Sequence, residues 1–153
     1  MIDIETGEIV CSGLSMPHSP RWHEGRLWVL NSGTGELGTI DSGSLSFEPV
    51  CFCPGYLRGL AFLDKRFAIV GLSKPRENRT FSGLPLDAAL QRHNIAARCG
   101  LYVVDLMTGD VAHSVTIEGV VSELYEVVVV PGVTQPSMVG LNSEDQKRTI
   151  SIE

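Results

Sequence analysis

Three stretches of the chain repeat one local pattern: a β-type run carrying an Asp at its end, a turn containing Gly, and a second β-type run. They are Ile2-Asp3-Ile4-Glu5-Thr6-Gly7-Glu8-Ile9-Val10, Ile40-Asp41-Ser42-Gly43-Ser44-Leu45-Ser46-Phe47 and Val104-Asp105-Leu106-Met107-Thr108-Gly109-Asp110-Val111-Ala112. Each predicts a β-hairpin in which Gly adopts the positive φ that the turn requires. Asp3 and Asp41 are 38 residues apart and Asp41 and Asp105 are 64 apart, so a true repeat leaves 26 residues over in the second interval. Residues 74–99 are that excess: they are polar and basic, lie between two strand-like runs, and their removal restores the 38-residue spacing. Such a period matches a four-stranded propeller blade, for which roughly 40 to 50 residues is usual.

Each unit then reads as four strands, a to d. In the first they are expected at 19–22, 26–31, 36–41 and 47–53, and in the second at 60–63, 66–72, 101–105 and 111–117. A third unit begins at 124–130 and 138–141, with 149–152 as a further strand, and the first residues of the chain read as the end of a strand c leading into d. Helix signal is confined to Pro85-Leu86-Asp87-Ala88-Ala89-Leu90-Gln91, where Pro near the first position suits one or two turns. The expected class is all-β: about three four-stranded antiparallel propeller blades, an incomplete ring in one chain, forming a single domain or segment over 1–153 with a basic loop insertion at 74–99. A small β-sandwich predicts similar short strands, but self-similarity favours the propeller.

A hydrophobic fraction of 43% with 20% charged residues supports a packed core and excludes a disordered chain. The net charge of −6 argues against a general nucleic-acid binder, which needs a Lys/Arg surplus to neutralise phosphates. No run approaches the roughly 18 to 20 apolar residues of a membrane span. The start Met1-Ile2-Asp3-Ile4-Glu5 lacks the basic and apolar regions of a leader, so no membrane partner and a cytoplasmic location are expected. Cys11, Cys51, Cys53 and Cys99 contain one C-x-C pair and no C-x-x-C zinc spacing, and read as buried free thiols. Trp22 and Trp28 alternate with polar neighbours and are expected to pack between blades.

The stretch Ser19-Pro20-Arg21-Trp22-His23-Glu24-Gly25-Arg26-Leu27-Trp28-Val29-Leu30-Asn31-Ser32-Gly33-Thr34-Gly35-Glu36-Leu37 resembles the blade phrase of six-bladed propellers of the gluconolactonase and senescence-marker type and of NHL-repeat proteins. It is more similar still to an uncharacterised bacterial family of propeller-like conserved hypothetical proteins, a domain of unknown function sometimes found beside tetratricopeptide repeats. That resemblance extends to Tyr56-Leu57-Arg58-Gly59-Leu60-Ala61-Phe62 and to residues 124–132. It implies a fold and no activity.

A propeller buries its blade edges by closing a ring, usually of four to eight blades. Two full units and two partial ones leave the ring open, so association is expected. Either two copies close six blades as a homodimer, the leading c and d strands of one pairing with the trailing strands of the other, or the residues are a segment of a longer chain.

Aligning Trp22 with Phe62 sets His18 opposite Arg58 and points onward to Glu123. All three precede an innermost strand, and loops there share the channel face with the loops between b and c, so the insertion is expected on that face too. It carries Lys74, Arg76, Arg79, Arg92 and Arg98 against Glu77 and Asp87, a local +3 within a chain of −6, leaving −9 elsewhere. His18, Arg58, Glu123, Arg76 and Arg79 are therefore the candidate ligand-binding residues, suited to a small anionic ligand or peptide through bidentate arginines, with no cofactor. His93 in the insertion is a lone loop histidine. In the gluconolactonase type an acidic residue before an early innermost strand helps to hold a divalent metal, a position occupied here by His18. The alternative, a metal-dependent lactonase-like hydrolase, would use Glu123, Asn31 and Asn142 for calcium or zinc, with His18 or His93 moving protons. No G-x-S-x-G elbow and no phosphate-cradling Gly-rich loop is present.

Overall fold

The computed structural model describes residues 1–75, 83–137, 139–140 and 142–148. Eight strands run in chain order: β1 Pro17–His23, β2 Arg26–Asn31, β3 Glu36–Ile40, β4 Phe47–Phe52, β5 Tyr56–Leu63, β6 Phe67–Ser73, β7 Gly100–Asp105 and β8 Val111–Thr116. One helix, α1 Pro85–Arg92, lies between β6 and β7, and a 3₁₀ turn spans Glu144–Arg148. The strands form two antiparallel four-stranded sheets with the simple orders β1-β2-β3-β4 and β5-β6-β7-β8.

The expected repeat is visible in the ladders. The tip pair His23↔Arg26 corresponds to Leu63↔Phe67, after which Trp22↔Leu27 matches Phe62↔Ala68 and Pro17↔Asn31 matches Leu57↔Leu72. Each first strand carries a bulge that shifts its register. A left-handed residue sits in each bulge, Ser19 at φ 49° and Gly59 at φ 80°.

The three Asp hairpins share one set of bonds. The amides of Asp3, Asp41 and Asp105 donate to the carbonyls of Glu8, Ser46 and Asp110, and those of Gly7, Leu45 and Gly109 donate back to the Asp carbonyls. In the first turn Asp3 Oδ1 accepts from the amides of Glu5 and Thr6, and in the second Asp41 Oδ1 accepts from those of Gly43 and Ser44. Asp105 Oδ1 accepts from Met107 N–H at 3.0 Å. This is the local chemistry by which an Asp side chain substitutes for ladder partners in a turn. One detail differs from the expectation: in the second turn the left-handed position falls to Leu45 at φ 55°, not to Gly43, because it is the fourth residue after Asp that must turn.

Packing follows the strand alternation. Trp28, Leu30, Leu37 and Cys51 of the first sheet meet Ala68, Val70, Tyr102 and Val104 of the second in one buried cluster, which Leu57 and Leu60 complete. The opposite face of the first sheet, Val29 and Ile40, is covered by Cys11 together with Met1, Val10 and Leu14. Trp28 makes an edge contact with Phe62. Trp22, in contrast to the expected packing, is 73% exposed, because its side of β1 has no sheet against it among the described residues.

The expected third unit forms no sheet among the described residues. Residues 124–130 join no ladder, although an innermost strand was expected there. They nonetheless lie against β5: a side chain at Gly59 would strike the backbone of Glu126 and Val127, and Val127 approaches Gly71. A ladder requires a neighbouring strand, and no strand pairs with these residues among the described ones. Of the strands expected at 138–141 and 149–152, residues 138, 141 and 149–152 lie outside the described residues.

Candidate functional site

The starts of β1 and β5 and the ends of β2 and β6 converge at one end of the two sheets. There Met16, His18, Ser32, Tyr56, Arg58, Ser73, Lys74 and Glu123 line a concavity of about 470 Å3, part of it open solvent. Repeat-equivalent positions of both sheets thus face one space, and residue 123 reaches it from the segment that follows β8.

Serine hydroxyls hold the wall together. Ser32 Oγ accepts from the buried Leu57 N–H at 2.9 Å, tying the end of β2 to the start of β5. Ser73 Oγ accepts from Leu124 N–H at 2.9 Å and donates to Leu124 O at 3.3 Å, the same tie one unit later. Ser32 and Leu57 are 25 residues apart and Ser73 and Leu124 are 51 apart, again a difference of 26. A third hydroxyl, Ser19 Oγ, accepts from Gly59 N–H at 3.1 Å and joins the two bulges. Lys74 N–H donates to Ser122 O, which fixes the approach of Glu123.

The charge in the pocket comes from Arg58, Lys74 and Glu123. The Arg58 guanidinium lies over the Tyr125 ring at 4.8 Å, so its face is occupied while its donor edges point elsewhere. Among the described residues neither Arg58 nor Lys74 forms an ion pair. Burial, reinforced by the neighbouring Arg58 charge, holds the His18 imidazole below its ordinary 6.5, so it is neutral at pH 7. Burial pushes the Cys99 thiol up, with Lys74 pulling it down and Glu123 adding to the rise. Burial, and Asp87 next, raise the Tyr56 phenol.

Helix α1 docks at this same end. Leu86 is fully buried and its N–H donates to Gly33 O in the turn after β2, while Leu86 Cδ1 occupies the space beside Gly35. His93, at the helix C-terminus, stacks on Phe52 with ring centres 4.6 Å apart.

Of the sequence candidates, His18, Arg58 and Glu123 line one pocket. Arg76 and Arg79 lie outside the described residues. Of the alternative cation trio, Asn31 does not line the pocket and its buried Oδ1 accepts from Ser15 N–H at 2.7 Å. Asn142 is exposed next to the 3₁₀ turn, and no group of three His, Cys, Asp or Glu residues suited to a metal occurs among the described residues. Sequence reasoning missed Ser32 and Ser73, which lie 41 residues apart, the offset that also relates β2 to β6 in the ladders. It also missed Tyr56, and it missed Tyr125, which touches the site only through Arg58.

Among the described residues no helix is long and apolar enough to cross a membrane. No curated protein and no solved structure matches the chain. A family does, over residues 1–139, and the chain with its paired sheets and its polar pocket therefore belongs to the family described as Domain of unknown function (DUF4915).

Proposed function

We propose that the pocket between β1, β5 and residue 123 binds a small anionic ligand, a carboxylate or a phosphate, through Arg58 and Lys74. The observation that carries this reading is the pair of cations without a described carboxylate partner in a pocket that is also lined by Ser32 and a neutral His18. An arginine whose face is backed by an aromatic ring keeps its fork of donors for a planar or tetrahedral anion. Neutral His18 can donate from one ring nitrogen and accept at the other, so it favours an anion that carries a hydroxyl.

This reading includes an architecture. The two sheets are consecutive propeller blades in a segment spanning 1–153, the pocket opens on the channel face, and Lys74 brings the start of the insertion to it. Support comes from the shared hairpin bonds, the shared bulges and the two equivalent serine ties. The four cysteines are all free and buried, which suits a reducing, cytoplasmic setting.

Inorganic phosphate and malonate, titrated separately into the protein and followed by calorimetry and amide chemical shifts, test the site. Binding that moves the amides of Leu57, Arg58 and Lys74 is expected, and Arg58→Ala is expected to weaken it about tenfold or more, the size of one lost charge-assisted interaction. Unchanged affinity in Arg58→Ala, or no shift at these amides with either anion, overturns the reading.

A further inference from the structure

The far face of the second sheet has the composition of a buried face. By the ladder correspondence Ile69 takes the place of Trp28, Leu101 that of Leu37, and Val115, at the same 64-residue offset as Asp105 from Asp41, that of Cys51. In the first sheet these positions are buried against the second sheet. In the second sheet Ile69, Leu101 and Val103 are only half-buried and Val115 is 57% exposed.

The cover has begun to form. The Ser73–Leu124 tie sets residues 124–130 where an innermost strand stands one unit later, with Val128 and Val130 exposed along it. Among the described residues no second, third or fourth strand joins it.

The complementary piece lies at the other side of the molecule. The hairpin closed by the Ile2↔Ile9 bridge has the same Asp-turn bonds as the β3–β4 and β7–β8 hairpins, which are third and fourth strands. It rests on the first sheet through Met1 and Val10, as a preceding unit would, yet no first or second strand pairs with it among the described residues. Its Ile2, Ile4 and Ile9 side chains are exposed.

We infer that a second copy of this chain covers the far face of the second sheet, its Ile2–Ile9 hairpin supplying the third and fourth strands of the unit that residues 124–130 begin. By two-fold symmetry the first copy's hairpin does the same for the partner, giving two equivalent seams and a closed ring. This rests on the propeller architecture proposed above, and independently of the anion pocket.

Light scattering on the full chain, with hydrogen exchange, tests it. The expected mass is twice 16.6 kDa, and the amides of 124–130 are expected to exchange more slowly as concentration rises. Ile9→Glu on the hairpin and Val115→Glu on the far face, both at exposed positions, are each expected to weaken association about tenfold or more while leaving the strand circular dichroism intact. An equimolar mixture of the two variants is expected to recover dimers, because one seam then joins an unaltered hairpin to an unaltered face. A wild-type monomer up to high concentration overturns the inference. So does a dimer that neither substitution weakens, or a mixture that stays monomeric. Phosphate binding by a monomer would show that the seam has failed and the pocket has not.

Discussion

Leu45 is a residue whose backbone and side chain are at odds. It takes the left-handed position that Gly7 and Gly109 take in the sister turns, at φ 55°, with its side chain 47% exposed. A left-handed conformation costs a non-Gly residue about 1–2 kcal/mol, and little burial is lost on removing the side chain. Leu45→Gly is therefore expected to stabilise the protein by about 1 kcal/mol, read from chemical denaturation. The sequence showed the turn but misplaced its left-handed residue, since Gly43 was the nearer glycine and only the bonding pattern says that the fourth position turns. Asp105 carries a different burden. Its hydrogen bonds to Arg66, and next that to the Met107 amide, hold its carboxyl below the ordinary 3.8. A lowered folded value adds stability that is present above pH 3.8 and lost as pH falls through the folded value. The difference in melting temperature between the wild type and Asp105→Asn should accordingly shrink on acidification below pH 4, and a constant difference would show that the carboxylate charge is not what matters. For His18 the sign follows from the same linkage: the unfolded chain takes up the proton first as pH drops through 6.5. A bound anion should raise the His18 value, visible as a shifted ring-proton titration in the presence of phosphate.

At the level of elements, the eight strands and the helix stand close to where alternation and turn residues set them, within a few residues at each end. Hairpins are legible because their signals are local. Residues 124–130 were not, since they have strand composition and strand position but no ladder, and pairing depends on a neighbour that a single stretch of sequence cannot display. The insertion was legible as an excess of 26 residues, though not its manner of attachment. Leu86 pins it by a fully buried side chain, so Leu86→Ala is expected to destabilise the fold by about 2–5 kcal/mol, measured by thermal or urea unfolding. Replacing residues 75–98 with a four-residue turn like that after β2 should keep the strand circular dichroism, since β6 and β7 already pair from Leu72↔Gly100 onward. Collapse of that signal would show the helix to be part of the core.

Across the whole molecule, His18, Arg58 and Glu123, singled out from the sequence by repeat arithmetic, line one concavity. Its serine framework escaped notice, since nothing in a serine's sequence context marks which main-chain amide its hydroxyl accepts from. Those ties bear on how such a chain can change over time. The hydroxyl bond at the end of β6 has the same geometry as the one at the end of β2, although 26 extra residues intervene before its partner amide. Length added at that corner leaves the contact between neighbouring sheets undisturbed, so the connection from β6 to β7 can be lengthened without loss of that tie. A lineage built this way can replace one loop without having to refold the sheets beneath it.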